Sequence, residues 1–382
     1  MHIVVIFINI GSYHAARLQA AYARCQERGW KFTALQVTDD SFSLDHPWGD
    51  LAKNISVPIE TLLPVTSKSY DSRRDTFSSV ASVALKHYLD QLKPNIVFLP
   101  GWSVSVARTG LKWCRLCNTL PILMSDSKED DTTRSWWRET FKSWILKGYT
   151  AALVAGQPHK RYLIKLGMAP EAIFLGYDVV GNQSFHPNKI SCLTKPLDKP
   201  YFLSSSRFVP KKNLVFLLSS YAAYRQAAGD NAWDLVLCGD GQLRPQIKQH
   251  IAELELQDFV HLPGFLQPDE LLPYFAHASC FIHASIQEQW GLVENEAMAA
   301  GLPVLVSNRC GCFEDLVIEG INGFGFDPEN LQQLTGIMLK MSSKDVDLKA
   351  MGQAALEHIQ KFSPDYFAQS LMQAVEYALA HC

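Results

Sequence analysis

The residues from Ser279 to Val304 read SCFIHASIQEQWGLVENEAMAAGLPV. The apolar run at 279–284 predicts a buried β-strand, and the polar residues after it predict a loop. A helix is expected to begin near Gly291 and to end at Gly301, because Pro303 opens the next apolar run. A strand, a loop, a helix and a second strand in this order form the repeating unit of a parallel α/β sheet.

The same alternation of short apolar runs and helical stretches continues along the chain of 382 residues. Near-continuous apolar runs such as residues 3–8 predict parallel strands that are covered by helices on both faces. We therefore predict an α/β protein with two doubly wound, Rossmann-like domains facing a central cleft, where ligands meet the carboxyl ends of the strands. The predicted strands are 2–8, 32–37, 95–99, 120–124, 151–155 and 173–176, then 201–204, 234–238, 259–262, 279–284 and 303–306; the helices of the first half are 14–28, 76–92, 103–118, 134–148 and 158–166.

A polar segment with three prolines, residues 186–200, divides the chain into two α/β sets. We expect an N-terminal domain at 1–185, a linker at 186–200 and a C-terminal domain at 201–363. The remaining residues, 364–382, are predicted to form a helix that packs back toward the N-terminal domain.

Composition excludes several classes of protein. The formal net charge of −3 lacks the basic excess that is typical of nucleic-acid binding. Residues 1–185 are nevertheless basic, with 21 Lys and Arg against 16 Asp and Glu, whereas the rest holds 14 against 22. No run approaches the ~18 apolar residues of a membrane span, and the first residues lack the basic start of a signal peptide. Nine scattered cysteines argue against a disulfide framework and for a cytoplasmic location.

The loop before the predicted helix carries residues suited to a phosphorylated ligand. Gly291 allows close approach to the backbone, and the free N–H groups of a helix N-terminus attract a diphosphate. Glu288 and Glu296 can accept hydrogen bonds from paired sugar hydroxyls. Arg207 and Lys212, which follow an earlier strand, can neutralise a diphosphate without a metal. Neither a G-x-G-x-x-G nor a Walker A sequence is present, which argues against NAD binding and P-loop chemistry.

Together these residues resemble the retaining GT-B glycosyltransferases of family four, the glycosyl transferases group 1. The family motif E-G-F-G-L-V-x-x-E-A-M-A-x-G-x-P-V is matched by EQWGLVENEAMAAGLPV at 288–304. The family segment G-R-x-x-x-x-K-(G/N) is matched at 206–213, with Ser206 in place of glycine. Further family segments are matched in order at 237–244, 260–266, 311–314 and 319–323.

The resemblance implies that the N-terminal domain binds the acceptor and the C-terminal domain binds the nucleotide sugar. It implies that Arg207 and Lys212 hold the donor diphosphate and that Glu288 contacts the sugar, and these three are the expected catalytic residues. Glu296 is expected to bind the ribose, and Phe265 and Leu266 to border the base. The other implied donor-binding residues are Gly11, Ser12, Gly239 and the backbone of Trp290, Gly291, Leu292 and Val293; no metal or other cofactor is implied.

The implied reaction transfers a hexosyl group, with retention, from a nucleotide sugar to an acceptor hydroxyl in glycan, glycolipid or polysaccharide synthesis. UDP-sugars are favoured over GDP-sugars. Two alternatives stay open, a GT-B sugar-nucleotide epimerase and a non-catalytic nucleotide-sugar-binding subunit. The histidine that the family carries after the fourth strand is absent here, and Ser125, Asp126 and Lys128 are the candidates to replace it.

The acceptor, whether a saccharide, a lipid-linked group or a small molecule, is expected to dock on the basic first domain, which holds seven of the nine tryptophans. Within it, residues 134–147 read RSWWRETFKSWILK. The favoured interpretation is a helix that buries Trp137, Phe141, Trp144 and Ile145; a basic aromatic helix on an anionic membrane and a stacking surface for an oligosaccharide are the alternatives. Cys114 and Cys117 form a C-x-x-C that we interpret as two core-facing residues rather than a redox pair.

Overall fold

The computed structural model describes residues 1–38, 56–63, 74–131 and 134–382, apart from the side chains of Ser12 and of residues 74–78. The described chain divides into two compact units. The first comprises residues 1–180 and 363–382, and the second comprises residues 181–362. Both are parallel α/β sheets covered by helices, so the predicted fold class is confirmed.

The first unit is built on a parallel sheet that has seven strands among the described residues, in the order β3-β2-β1-β4-β5-β6-β7. The interior strand β1 is buried along nearly its whole length, and its Ile3 lies between Phe32 of β2 and Ile96 of β4. The strands are β1 (His2–Phe7), β2 (Lys31–Thr38), β3 (Ile59–Leu63), β4 (Ile96–Pro100), β5 (Leu120–Ser125), β6 (Ala151–Val154) and β7 (Ile173–Leu175). The helices are α1 (Ser12–Glu27), α2 (Arg74–Leu92), α3 (Ser105–Cys117), α4 (Trp136–Leu146) and α5 (Gln157–Lys165), with a last helix from the end of the chain.

The second unit has a parallel sheet with six strands, all within residues 201–326, in the order β10-β9-β8-β11-β12-β13. The strand order reverses at β8, which lies between β9 and β11. The strands are β8 (Tyr201–Ser205), β9 (Asp234–Cys238), β10 (Val260–Gly264), β11 (Cys280–His283), β12 (Val304–Ser307) and β13 (Gly323–Phe326). The helices are α6 (Pro187–Ile190), α7 (Leu214–Ala228), α8 (Arg244–Glu253), α9 (Pro268–His277), α10 (Leu292–Ala299), α11 (Phe313–Leu316), α12 (Leu331–Ser342) and α13 (Leu348–Ile359).

The segment expected to be a linker, residues 186–200, is part of the second unit. It contains helix α6, whose Ile190 is buried, and His277 of α9 contacts the Leu193 carbonyl through its Nε2 at 2.7 Å. A polar, proline-rich composition is found both in linkers and in irregular segments that pack on a domain. The contacts of residues 186–200 show that this segment packs on the second unit.

The last helix, α14 (Pro364–Ala380), belongs to the first unit although it is the last element in the chain. It packs against α1 and beside β6 and β7. Arg28, just after α1, donates to Glu376 at 2.6 Å, and the ring of Tyr377 meets that of Phe174 at 6.0 Å. The first unit is therefore completed by residues that follow the whole of the second.

Within the described residues, every helix is too short or too polar to cross a bilayer.

Candidate functional site

Two loops of the second unit meet at the point where its strand order reverses. The first, residues 206–213, follows β8, and the second, residues 284–291, follows β11. Since β8 and β11 are neighbouring parallel strands, both loops leave the same edge of the sheet. The Ile286 N–H donates to the Lys211 carbonyl at 2.9 Å and joins them. In doubly wound sheets this reversal point is where ligands bind.

The two loops place a carboxylate between two ammonium groups. Lys212 Nζ forms an ion pair with Glu288 Oε2, and Lys211 Nζ lies 3.5 Å from Glu288 Oε1. The side chains of Lys212 and Glu288 are only 12% and 13% exposed, so water weakens their attraction less than it would for a surface pair. The predicted residues Lys212 and Glu288 are thus brought together, with Lys211 beside them.

His283, at the end of β11, supports this carboxylate from the core and was missed by the sequence analysis. Its Nε2 lies 2.7 Å from Ser285 Oγ and 3.6 Å from Glu288 Oε2. Ser285 Oγ in turn donates to Glu288 Oε2 at 3.4 Å. A polar residue at the carboxyl end of a buried strand beside the reversal point was the signal that could have revealed it.

The charge states of Glu288 and His283 follow from their burial and from the charged groups beside them. Burial by itself would raise the pKa of Glu288, but the contact from His283 and the charge of Lys212 outweigh it and hold that pKa well below the usual range. Burial, together with the charge of Lys212, lowers the pKa of His283 to about 4. At neutral pH Glu288 is therefore ionised and the imidazole of His283 beside it is neutral.

Helix α10 begins where the sequence predicted. Gly291 is its N-cap at φ 113°, in the left-handed region that glycine tolerates. A Cβ built on it would lie 2.4 Å from Glu294 Oε2, so the Glu294 carboxyl packs directly against this glycine. The half-buried backbone from Gly291 to Val293 forms the helix N-terminus predicted to hold phosphate oxygens.

The predicted side chains on and before α10 occupy different environments. Trp290 is buried and donates from Nε1 to Asn295 Oδ1 at 2.9 Å, so its indole packs in the core and only its backbone is suited to a ligand. Glu296 is also largely buried on α10. Leu292 is half-buried in the first turn of the helix.

Glu294 is the most deeply buried acid of the site, and the sequence analysis did not select it. Its side chain is fully buried, and its Oε1 lies 3.7 Å from His283 Nδ1. Burial, together with the nearby charge of Glu288, raises its pKa well above the usual value. The loop after β12 pairs with the loop at 284–291, since Gly311 N–H donates to the Glu288 carbonyl at 3.1 Å.

The loops after β9 and β10 extend the site along the same sheet edge. Gly239 adopts φ 132°, and a Cβ there would lie 1.9 Å from the Ser206 carbonyl oxygen, so close loop packing requires glycine at this position. Its N–H donates to the Gly264 carbonyl at 2.8 Å, directly before Phe265 and Leu266. Phe265 is exposed and Leu266 half-buried, which leaves apolar surface at this edge.

Arg207 lies in the same loop as Lys212 but is exposed, next to the fully buried ring of Phe208. Phe208 N–H donates to the Asp240 carbonyl at 2.7 Å, and this contact fixes the loop around the arginine. The backbone position of Arg207 is therefore set, while its guanidinium is at the surface.

The site residues predicted in the first unit lie at carboxyl ends of its strands. Gly11 follows β1 and is the N-cap of α1, and its N–H donates to His14 Nδ1 at 3.1 Å. Ser12 is the first residue of α1, and its side chain lies outside the described residues. Ser125 ends β5 and is buried. Lys128 is also buried, with Nζ 2.7 Å from Asp130 Oδ1.

The favoured interpretation of residues 134–147 was wrong. Trp136, Trp137, Phe141 and Trp144 are 81%, 55%, 50% and 59% exposed, respectively. The buried side of α4 is instead formed by Ile145 and its neighbour Leu146. The aromatic positions at spacings of three and four do share one face of the helix, but that face points to solvent.

The polar positions of α4 explain why the aromatic face is the outer one. Lys142 Nζ donates to Glu139 Oε1 at 2.9 Å and to the Tyr162 hydroxyl at 2.8 Å, which ties α4 to α5. The Arg134 guanidinium stacks 4.6 Å from the centroid of the same tyrosine ring. A hydrogen-bonded ionic network thus takes the inner side that the aromatic residues were expected to fill.

The C-x-x-C pair is only partly as predicted. Cys114 is buried, whereas Cys117 is exposed at the end of α3, and neither forms a disulfide. The helical spacing of three brings the two positions near one face, but the last turn of α3 leaves the core.

The second unit matches a known family of enzymes. The family model described as glycosyl transferases group 1 matches residues 187–358, nearly all of that unit. Among curated proteins, the amylovoran biosynthesis glycosyltransferase AmsK of Erwinia amylovora is 28% identical over 204 residues, which are 52% of this chain and 49% of that protein. The chain spans about half the length of the curated relatives it matches.

Solved structures share the fold along the whole chain. Sucrose-phosphate synthase from Thermosynechococcus elongatus superposes with a TM-score of 0.78 at 19% identity and covers 100% of both chains. HepE of Anabaena, solved in complex with UDP, gives a TM-score of 0.75 at 17% identity, covering 98% of this chain and 100% of its own. At such identities the likeness shows the fold.

Proposed function

We propose that this protein is a retaining glycosyltransferase, because residues 187–358 match the family model described as glycosyl transferases group 1 and the chain has a GT-B fold. It transfers a hexosyl group from a nucleotide sugar to an acceptor hydroxyl, without a metal at the diphosphate. The observation that carries this proposal is the largely buried Lys212–Glu288 pair at the reversal point of the sheet, shortly before the N-terminus of α10.

In this proposal the cations of the loop at 206–213 bind the donor diphosphate. Lys212 is held in place by Glu288, and Arg207 is exposed on a fixed backbone, free to close onto phosphate oxygens. Fixed cations stabilise the charge that develops on the leaving nucleotide. The backbone N–H groups at the start of α10 add hydrogen bonds and the positive end of the helix dipole.

Glu288 contacts the sugar hydroxyls beside the reacting carbon, and Glu296 takes the ribose hydroxyls. The ionised state of Glu288 suits this role, because a carboxylate accepts hydrogen bonds from two hydroxyls at once. Phe265 and Leu266 border the base. UDP-sugars are the favoured donors, with support from the UDP bound to the structural neighbour HepE. The leaving phosphate assists deprotonation of the acceptor on the same face of the sugar.

The test compares wild-type protein with Glu288→Gln and with Glu253→Gln, a control at an exposed glutamate on α8. A melting-temperature screen over nucleotides and nucleotide sugars first identifies the donor, since ligands that bind the native state raise Tm. With that donor, Glu288→Gln is expected to bind the nucleotide nearly as well as wild type and to lose roughly 100-fold or more in kcat. Near-normal kcat in this variant would contradict the role of Glu288.

The same assay separates the alternatives. Conversion of the nucleotide sugar without any acceptor favours an epimerase. Tight donor binding with no turnover for a broad set of saccharide, lipid-linked and small-molecule acceptors favours a non-catalytic binding subunit.

We further propose that the acceptor is reached at an anionic lipid surface, which α4 contacts from the cytoplasmic side. The exposed face of α4 carries four large aromatic side chains, and Arg138, also exposed, stacks 5.0 Å from the Trp137 ring centroid. Lys147 is exposed just after the last turn. Aromatic rings flanked by cations are the composition of helices that lie in the interface of anionic bilayers.

Vesicle flotation tests the membrane proposal. Wild-type protein is expected to float with vesicles that contain phosphatidylglycerol and to stay unbound with phosphatidylcholine alone. The double variant Trp136→Ser/Trp144→Ser is expected to lose flotation, whereas Leu116→Ser, at another exposed apolar position, retains it. Absence of flotation by wild type on anionic vesicles would exclude this surface as a membrane contact and leave the oligosaccharide interpretation.

A further inference from the structure

Three segments of the second unit, next to the loops at 206–213 and 284–291, bring together a histidine, a glutamate and a cysteine. His283 ends β11, Glu294 lies in the first turn of α10, and Cys310 follows β12. One ligand atom of each lies within 4.8 Å of the others, and all three residues are buried. We refer to these three residues as the His–Glu–Cys cluster.

Within the part of the chain that the structure describes, Glu294 and His283 each hold buried polar atoms that lack a hydrogen bond. Among the described residues, neither oxygen of Glu294 nor Nδ1 of His283 has a hydrogen-bond partner, although all three atoms are shielded from solvent. Burying a carboxyl group without a hydrogen bond is energetically unfavourable, and such groups in native proteins usually have an ion or a water beside them. The unpartnered atoms therefore point to a missing ligand between Glu294 and His283.

The other side of the imidazole is arranged as it is in metal sites. His283 Nε2 faces Ser285 Oγ at 2.7 Å and Glu288 Oε2 at 3.6 Å. A histidine that binds a metal through one nitrogen almost always donates the N–H of the other to a carboxylate or a similar acceptor. With the proton on Nε2, the Nδ1 lone pair faces Glu294 and Cys310.

We propose that the His–Glu–Cys cluster binds a divalent cation of the zinc class. The donor set of imidazole nitrogen, carboxylate oxygen and thiolate sulfur is one that zinc prefers over magnesium or calcium. Binding displaces one proton from the Glu294 carboxyl and one from the Cys310 thiol, so two negative ligands balance the charge of the ion. With metal–ligand distances of about 2.0–2.3 Å, the ligand atoms draw together by roughly 1 Å, and water completes the coordination.

The expected role of the ion is structural. The Glu288–Cys310 backbone pair forms an isolated parallel bridge, and Cys312 N–H donates to the Trp290 carbonyl at 3.1 Å. An ion held by Cys310 and by residues on β11 and α10 would therefore fix the loop that carries Glu288 from the core side. It lies behind the imidazole and does not touch the diphosphate, so this inference is independent of the proposed metal-free donor chemistry.

The test uses the tag-free full chain, loaded with Zn²⁺ and then desalted, and measures zinc per protein by elemental analysis. Wild type is expected to retain about one equivalent, and Zn²⁺ alone is expected to raise its Tm. Cys310→Ser and Glu294→Gln are expected to lose retained zinc. Cys117→Ser, at an exposed cysteine of the first unit, serves as the control and keeps it.

Cobalt gives a readout in the wild-type protein itself, so the test does not rest on variants alone. Co²⁺ in the wild-type cluster is expected to show the sulfur-to-cobalt charge-transfer band of a thiolate ligand, and Cys310→Ser to lack it. Zinc well below one equivalent in wild type, or no thiolate band with Co²⁺, would overturn the proposal and leave a protonated Glu294 beside a neutral histidine. Nucleotide binding in the presence of a chelator is measured in parallel, so that failure of the donor site is recognised separately.

Discussion

At the scale of single residues, the loop after β1 depends on the protonation state of one histidine. His14 Nδ1 accepts a hydrogen bond from the Gly11 N–H, which requires the nitrogen to be unprotonated. His14 lies in the first turn of α1, where its burial, together with the charge of Arg17, lowers its pKa well below 6.5. Below pH 6.5 the unfolded chain therefore binds more protons at this position than the folded one, and the free energy of unfolding falls as the pH falls.

We predict that His14→Asn reduces this pH dependence, because an asparagine oxygen accepts the same hydrogen bond without titrating. Between roughly pH 5 and 6.5, the slope of the free energy of unfolding against pH should decrease by at most about 1.4 kcal/mol per pH unit. Denaturant unfolding at several pH values measures the slope, with His87→Asn on an exposed position of α2 as the control. An unchanged slope in His14→Asn would show that the ring is protonated equally in both states.

The residues of the candidate site in the second unit differ in how far the sequence could predict them. Glu288 and Lys212 were predicted because each stands in a motif that follows a strand, and the structure joins them in an ion pair. His283 and Glu294 were missed, since no spacing in the sequence links a strand end to a position in the next helix. Their relation arises only when β11 and α10 are packed against each other.

At the scale of elements, the strands that the sequence analysis missed are those with the weakest apolar pattern. β3 has the sequence IETLL, in which two adjacent polar residues interrupt the apolar ones, and it lies at one end of the strand order among the described residues. β13, read as GFGF, contains two glycines and resembles a turn in sequence. Packing explains one of these two glycines, because a Cβ on Gly323 would lie 2.0 Å from the Val304 carbonyl oxygen of the neighbouring strand.

Helix α4 has a strong apolar pattern, but the prediction assigned the aromatic face to the core when it is exposed to solvent. Periodicity identifies which residues share a face of a helix but not which face meets the core. Here Lys142, Glu139 and Tyr162 form a hydrogen-bonded network on the inner side. The outer side therefore carries the aromatic residues, and the proposed membrane contact rests on this exposed apolar patch.

At the scale of the whole molecule, the division into units was predicted in outline and differs in detail. The first crossing between units falls at residues 180–181, before the polar segment expected to be the linker. The second falls at residues 362–363, next to the predicted start of the last helix. Linear composition could not show the earlier crossing, because residues 181–200 are held by contacts such as Asn182 Nδ2 to the Ile359 carbonyl at 3.0 Å.

Both units contain buried and exposed cysteines, and their different exposure predicts how fast each one reacts with an alkylating reagent. Cys117, Cys192 and Cys382 are exposed, and the other six of the nine are buried. Burial raises the pKa of Cys25, Cys114 and Cys238 to about 12, which suppresses the reactive thiolate. Under native conditions near neutral pH, iodoacetamide should therefore modify three cysteines rapidly, and all nine after denaturation, as counted by intact mass.

Slower labelling of the buried cysteines then measures how each unit opens. Cys25 and Cys114 belong to the first unit, and Cys238 and Cys280 to the second. A nucleotide that binds only the native second unit should slow the labelling of Cys238 and Cys280 by the factor 1 + [L]/Kd, since labelling tracks the open population. Peptide mapping should show Cys25 and Cys114 unaffected if the units open independently. Equal protection of all four would instead show that the two units unfold as one cooperative body.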